Sequence, residues 1–126
     1  MKPAPETKNR TVLIVDDDPI YRQVLSLGLQ ASGYATVEAE NGDRAMDVLT
    51  STRPDVILLD MLMPVMDGMQ FLRSVKEKGF SSIPTLVLTC LDRRSVAVDA
   101  LVAGATDVMT KPFSLPALLK KLSTIG

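Results

Sequence analysis

The chain has no histidine and no tryptophan, and only one cysteine, two tyrosines and three phenylalanines among its 126 residues. Without histidine it has no Ser-His or Cys-His nucleophile, no histidine-ligated zinc and no phosphohistidine of its own. The lone cysteine, Cys90, cannot close an internal disulfide, which points to a reducing, cytoplasmic setting. An excess of one charge is also missing. Its 14 basic and 15 acidic side chains leave −1, whereas a nucleic-acid domain usually shows a strong basic surplus. No apolar run approaches the roughly 18 residues of a membrane span. Neither direct nucleic-acid contact nor membrane insertion is expected, and chemistry must fall to carboxylates, hydroxyls and lysine.

What is present suits one domain of ordinary size with its own core: 46% of the residues are apolar. Residues 1–10, MKPAPETKNR, are charged and without periodicity. They are expected to form a flexible tail, and without an apolar central run they do not resemble a signal peptide. Residues 11–126 then alternate short apolar runs with amphipathic stretches. The runs Thr11–Val15, Ala35–Ala39, Val56–Leu59, Thr85–Leu88 and, more weakly, Asp107–Met109 read as strands. The first, third and fourth are almost wholly aliphatic, as in parallel strands buried on both faces.

The segments between them read as helices. The first opens with the N-cap Asp18 and Pro19, carries Ile20, Val24, Leu27 and Ala31 at helical spacing, and stops at Gly33. The others are expected over about Gly42–Ser51, Met69–Lys78, Arg94–Val102 and from Ser114 onward, with Gly79 and Gly104 as stops. Strict alternation of five strands and five helices predicts an open, doubly wound α/β sandwich with a parallel sheet.

In such sheets the binding crevice lies beyond the strand C-terminal ends. Asp16, Asp17 and Asp18 follow the first strand, Asp60 the third, Thr89 the fourth, and Lys111-Pro112 the fifth. Helix capping accounts for Asp18 but not for Asp16 and Asp17, and Asp60 begins a loop. Clustered carboxylates repel unless a cation joins them, and oxygen-only ligands suit a hard divalent ion such as Mg²⁺. Lys111 can offer a point cation and Thr89 a hydroxyl to phosphoryl oxygens. Together these residues outline a phosphoryl-transfer site with an aspartate nucleophile.

The segments VLIVDDDP (residues 12–19), DVILLDMLMPVMDG (55–68), TLVLTC (85–90) and GATDVMTKPF (104–113) resemble the receiver domain of bacterial two-component response regulators. The resemblance runs from about Thr11 to Ser123. It implies a flavodoxin-like sheet in the order 2-1-3-4-5, an order the chemotaxis member of this family exemplifies. It also implies that Asp60 is the phosphoacceptor, served by a sensor histidine kinase or a histidine phosphotransfer protein. Asp17 and Asp60 would hold Mg²⁺ directly, Leu62 through its backbone carbonyl and Asp16 through a water. Thr89 and Lys111 would bind phosphoryl oxygens, and the Lys111-Pro112 bond would be cis. Asp16, Asp17 and Asp60 sum to −3, which the divalent ion and Lys111 bring to zero. Phosphorylation would add negative charge that Thr89 must help absorb, moving the loop that follows it. The face of the fourth helix, fifth strand and fifth helix would then serve a phosphorylation-dependent dimer or an effector domain.

Several positions depart from that family's pattern. Val108 stands where the family usually places a switch aromatic, so signalling is expected to rest on the loop after Thr89. Leu62 and Leu91 flank the phosphorylation site with aliphatic side chains, which predicts slow self-dephosphorylation. Cys90 is expected to be a small buried filler, and Met61, Met63, Met66 and Met69 adaptable packing rather than a soft-metal site. Arg93-Arg94 reads as a solvated helix start on the family's partner surface, while Tyr21, Arg22, Leu25 and Leu29 are expected on the surface that selects the kinase. The competing reading is a small aspartate-nucleophile phosphatase of haloacid dehalogenase type, from the D-x-D of Asp16 and Asp18. It leaves the Asp60 loop without a use, and 126 residues leave no room for a cap domain. A flavin carrier is excluded by the scarcity of stacking aromatics and by three aspartates facing a phosphate.

Overall fold

The computed structural model of the chain describes residues 10–60, 68–90 and 94–125, with Arg94 and Ser95 described by their backbone alone. Strands β1 (Thr11–Val15), β2 (Ala35–Ala39), β3 (Val56–Asp60), β4 (Thr85–Thr89) and β5 (Asp107–Thr110) alternate with five helices. These are α1 (Pro19–Ala31), α2 (Gly42–Ser51), α3 (Gly68–Glu77), α4 (Arg94–Ala103) and α5 (Leu115–Ile125). All neighbouring strands are parallel, in the order β2-β1-β3-β4-β5. The central strands β1, β3 and β4 are buried almost throughout, and the edge strands β2 and β5 are only partly covered. This is the distribution the aliphatic runs predict.

Alternation along each central strand builds one core on either face. Leu13, Val15, Ile57, Leu59 and Val87 meet Ala45 and Leu49 of α2, Phe71, Leu72 and Val75 of α3, and Ala100 of α4. On the opposite face Val12, Ile14, Val56, Leu58, Leu86 and Leu88 meet Leu25 and Leu29 of α1 and Leu118 and Leu122 of α5. Helix ends follow their local chemistry. Asp18 accepts from the Ile20 and Tyr21 N–H groups, Asn41 from Arg44, and Ser114 from Ala117. Gly33, Gly79 and Gly104 close α1, α3 and α4 at φ of 99°, 85° and 124°, a region costly for any residue with a Cβ. Arg10, placed in the tail by composition, is tied to the fold: its carbonyl accepts from Ala35 N–H at 2.9 Å.

Two expectations about exposure are corrected. In α1 the stripe Ile20, Val24, Leu27 and Ala31 faces solvent, with Val24 61% exposed, while Leu25, Ser26 and Leu29 are buried. The helix carries two overlapping apolar stripes, and the one containing Leu25 and Leu29 reaches the core. Its buried hydroxyl is satisfied as well, since Ser26 lies 2.6 Å from the Thr36 hydroxyl on β2. Leu25 and Leu29 are therefore not partner-surface residues. Cys90 is exposed rather than a buried filler, because β4 ends at Thr89 and the next residue leaves the sheet at its rim.

Candidate functional site

The C-terminal rim of the sheet brings four of the expected residues together. Asp16, Asp17 and Asp60 each place a carboxylate oxygen within 4.8 Å of the others. The Lys111 ammonium lies 3.8 Å from Asp16 Oδ2 and 3.6 Å from Asp60 Oδ1. Register explains the convergence: Val15 pairs with Leu59 and Asp60 with Leu88, so the acidic ends of β1 and β3 come level beside β4. Lys111 is drawn in by its backbone, whose N–H donates to the Thr89 carbonyl at 2.7 Å. The Lys111-Pro112 peptide is cis.

The three aspartates occupy different environments. Asp16 is buried and Asp17 exposed, while Asp60 lies between, with a side chain 13% exposed. Asp16 Oδ1 accepts from Asp18 N–H at 2.9 Å, but buried Oδ2 has no hydrogen-bond partner. Burial pushes the Asp16 carboxyl up, and repulsion from Asp17 and Asp18 adds to this against the pull of Asp18 N–H and Lys111. A buried carboxylate oxygen without a hydrogen-bond donor, in a cluster of three carboxylates, fits a hard divalent cation carrying coordinated water.

Thr89 is buried at the end of β4, paired in register with Thr110. Val108 is half-buried and packs against the same core cluster as Val96 and Ala103 of α4. The short side chain is thus seated in the β5–α4 packing. Asp18 does not join the carboxylate cluster: it caps α1, which removes the D-x-D pairing the phosphatase reading requires. Leu62 and Leu91, with Met61, Met63, Met66 and Arg93, lie outside the described residues.

Two participants escaped the sequence reading, which placed them on a partner surface. The Lys111 ammonium stands 4.4 Å from the centroid of the Tyr21 ring. Burial, Asp16 and Asp60 together push the Tyr21 phenol up to about 12, so the ring stays neutral. Arg22 donates from Nη1 to the Asp16 carbonyl at 2.7 Å and from Nε to Glu38 on β2 at 2.9 Å. It thereby pins the turn that presents Asp16 and Asp17. The available signal was position: both follow the Asp18 cap within the first turn of α1, directly beside the acidic turn.

The comparisons with known proteins agree with this geometry. The family model described as the response regulator receiver domain matches residues 12–123. The chain is 40% identical over 114 residues to the response regulator MprA of Mycolicibacterium vanbaalenii, covering 90% of this chain and 49% of that protein. It matches MprA of Mycobacterium avium equally well, at 40% over 114 residues, covering 90% of this chain and 50% of that one. The chain thus spans about half the length of these curated relatives. Among solved structures, the chemotaxis protein CheY4 of Vibrio cholerae aligns with a TM-score of 0.89 at 35% identity, covering 93% of this chain and 98% of that one. The receiver domain of the Francisella response regulator 1452 aligns at 0.86 and 30% identity, covering 91% and 94%. Nothing in these matches supports the phosphatase alternative. With four motifs at one sheet rim and a family match spanning nearly its whole length, the chain belongs to the response regulator receiver domains, the phosphoacceptor modules of two-component signalling.

Proposed function

We propose that Asp60 is the phosphoacceptor of this receiver and that Lys111 and Thr89 serve the transferred group. An oxygen of the Asp60 carboxylate attacks the phosphorus of a partner's phosphohistidine. The new O–P bond forms as the P–N bond breaks, and the imidazole leaves with the electron pair. The observation that carries this reading is the Lys111 ammonium, 3.6 Å from Asp60 and 3.8 Å from Asp16, within a cluster of three carboxylates.

Asp17 and Asp60 would hold Mg²⁺ directly and Asp16 through a water, as the family resemblance implies; Leu62, whose backbone carbonyl it also implicates, lies outside the described residues. When bound, the ion supplies positive charge that offsets the charge of the phosphoryl oxygens. Lys111 contributes a second positive charge, and the Thr89 hydroxyl can donate to a phosphoryl oxygen. The module would phosphorylate itself from small donors and hydrolyse its own acyl phosphate, acting through altered binding rather than turnover.

Among the described residues no helix is long and apolar enough to cross a membrane. A sensor histidine kinase or histidine phosphotransfer protein is the expected donor, in the cytoplasm. The solvent-facing stripe Ile20, Val24 and Leu27 begins one turn from the acidic rim and offers that donor an apolar landing. The exposed Val98, Leu101 and Val102 of α4 offer a surface for an effector or a second copy once Asp60 is modified.

The test is intact-mass measurement after incubation with a small phosphodonor, with and without Mg²⁺, on wild type and Asp60→Asn. One added phosphoryl group is expected, dependent on Mg²⁺ and absent from the variant; equal labelling of both proteins would refute the assignment. Decay of the labelled species in the same samples measures the slow hydrolysis that Leu62 and Leu91 lead us to expect.

A further inference from the structure

We infer that Tyr21 is a positioning residue for phosphoryl transfer, its ring face seating the Lys111 ammonium between the carboxylates of Asp16 and Asp60. This deepens the assignment of Asp60 and Lys111 above and rests on it. The ammonium lies 4.4 Å from the ring centroid, and 3.8 Å and 3.6 Å from the two carboxylates. Both carboxylate separations are of ion-pair length, longer than the roughly 3.2 Å limit of a good N–H···O bond. Attraction to both carboxylates draws the ammonium into the rim without selecting one of them. Lys111 reaches it on a flexible four-carbon stem that is still 23% exposed, so the rim charges alone leave it room to swing into water.

The ring supplies the missing surface. Its face carries the negative lobe of the quadrupole, attracts a cation, and covers that side of the ammonium against solvent. The ring is itself well anchored. Tyr21 N–H donates to the Asp18 cap at 3.3 Å, and the side chain packs against the core cluster formed by α1, α5 and the sheet. The Asp18 cap that starts α1 therefore also fixes the seat of Lys111.

An aromatic face has a property that a third carboxylate would lack. It holds the ammonium without taking a hydrogen bond from it. When negative charge grows on Asp60 during transfer, the ammonium can turn toward the phosphoryl oxygens with no hydrogen bond to the ring to break. Tyr21 would thus act on the rate through Lys111, without touching the reacting atoms.

The test uses the full chain with Mg²⁺ and acetyl phosphate, following phosphorylation by intact mass for Tyr21→Phe, Tyr21→Trp, Tyr21→Leu and Tyr21→Met. Phe and Trp keep the ring face and are expected to stay within about twofold of wild type, while Leu and Met slow the reaction about fivefold. Melting curves identify which variants are folded, and two aliphatic replacements guard against the failure of one. A second readout needs no phosphoryl transfer. The Lys111 ε-methylene proton resonances should be shifted upfield by the ring in unmodified wild type and in Tyr21→Phe, and should move to ordinary lysine positions in Tyr21→Leu. Wild-type rates in the aliphatic variants, a Phe variant as slow as Leu, or unshifted Lys111 resonances in wild type would each overturn the inference. Labelling that survives Asp60→Asn would instead sink the phosphoacceptor assignment, while the Lys111 resonances still report on the Tyr21 seat.

Discussion

Replacing Asp16 by asparagine should stabilise the metal-free protein and blunt its response to Mg²⁺. Asp16 is 2% exposed, and its Oδ2 is buried without a hydrogen-bond partner. Asparagine can keep the oxygen that accepts from Asp18 N–H at 2.9 Å, and it removes one negative charge from the cluster of three carboxylates. Leaving a buried acceptor unsatisfied costs about 1–3 kcal/mol, and more when it is charged. Lys111 offsets part of that cost from 3.8 Å, but it retains Asp60 at 3.6 Å when Asp16 is neutralised. A net gain of about 1 kcal/mol is therefore the reasonable figure. Unfolding entropy of about 2.1 cal/mol/K per residue converts this into a rise of about 4 °C for a domain of this size. Mg²⁺ at a hundredfold excess over its Kd should raise wild type by about 2.7 kcal/mol, or about 10 °C. The variant, short of one carboxylate, should rise by much less, so the order of melting temperatures reverses on adding metal. Circular-dichroism melts at pH 7 in chelator and across a Mg²⁺ titration measure this directly. A variant that melts at or below wild type in chelator would show that the orphaned oxygen is no burden. Equal Mg²⁺ shifts in both proteins would show that Asp16 takes no part in the cation site.

Arg22→Met should remove the 2.7 Å bond to the Asp16 carbonyl and the 2.9 Å pair with Glu38 while keeping the packed stem. A loss of about 2 kcal/mol in urea unfolding is expected, with weaker Mg²⁺ binding, whereas Glu38→Gln should cost under about 1 kcal/mol. Equal losses in the two variants would mean that the Asp16 carbonyl bond contributes nothing. Lys121→Met should destabilise the β5–α5 contact by about 0.5 kcal/mol, because its 2.9 Å pair with Asp107 is more than a third exposed and screened. Burial pushes the Asp107 carboxyl up, but the Lys121 hydrogen bond and Val108 N–H outweigh it and hold the carboxyl below its ordinary value. For an acid depressed in the fold, the stability is complete above the unfolded value of about 3.9 and is lost as pH falls through the lower folded value. The gap between wild type and Lys121→Met should accordingly be constant at neutral pH and close in strong acid. A gap that widens on acidification would contradict the pairing.

The strands were legible because parallel strands buried on both faces must be aliphatic throughout, and Val12–Val15, Val56–Leu59 and Leu86–Leu88 have no other economical reading. The acidic site was legible for a related reason: a doubly wound sheet collects its strand ends, so residues scattered from Asp16 to Lys111 had to meet. Exposure was less so. Cys90 stands where the family mostly has a small residue, which suggests a buried filler, but where a strand stops is decided by its neighbours' register rather than by its own composition.

The rotation of α1 is the more instructive case. Periodicity identifies a helix and its stripes, but a helix with two overlapping stripes has no preferred rotation until it docks. Here docking is set by partners remote in sequence. Ser26 and Gln30 reach the Thr36 hydroxyl on β2, and a Cβ on Gly28 would come within 3.2 Å of Leu115 at the start of α5. Those contacts turn Leu25 and Leu29 inward, and they also aim Tyr21 at Lys111 and Arg22 at the Asp16 carbonyl. The rotation that exposes Ile20, Val24 and Leu27 to solvent is therefore the same one that brings Tyr21 and Arg22 to the acidic rim, so the outward stripe and the inward tyrosine are two consequences of a single packing choice.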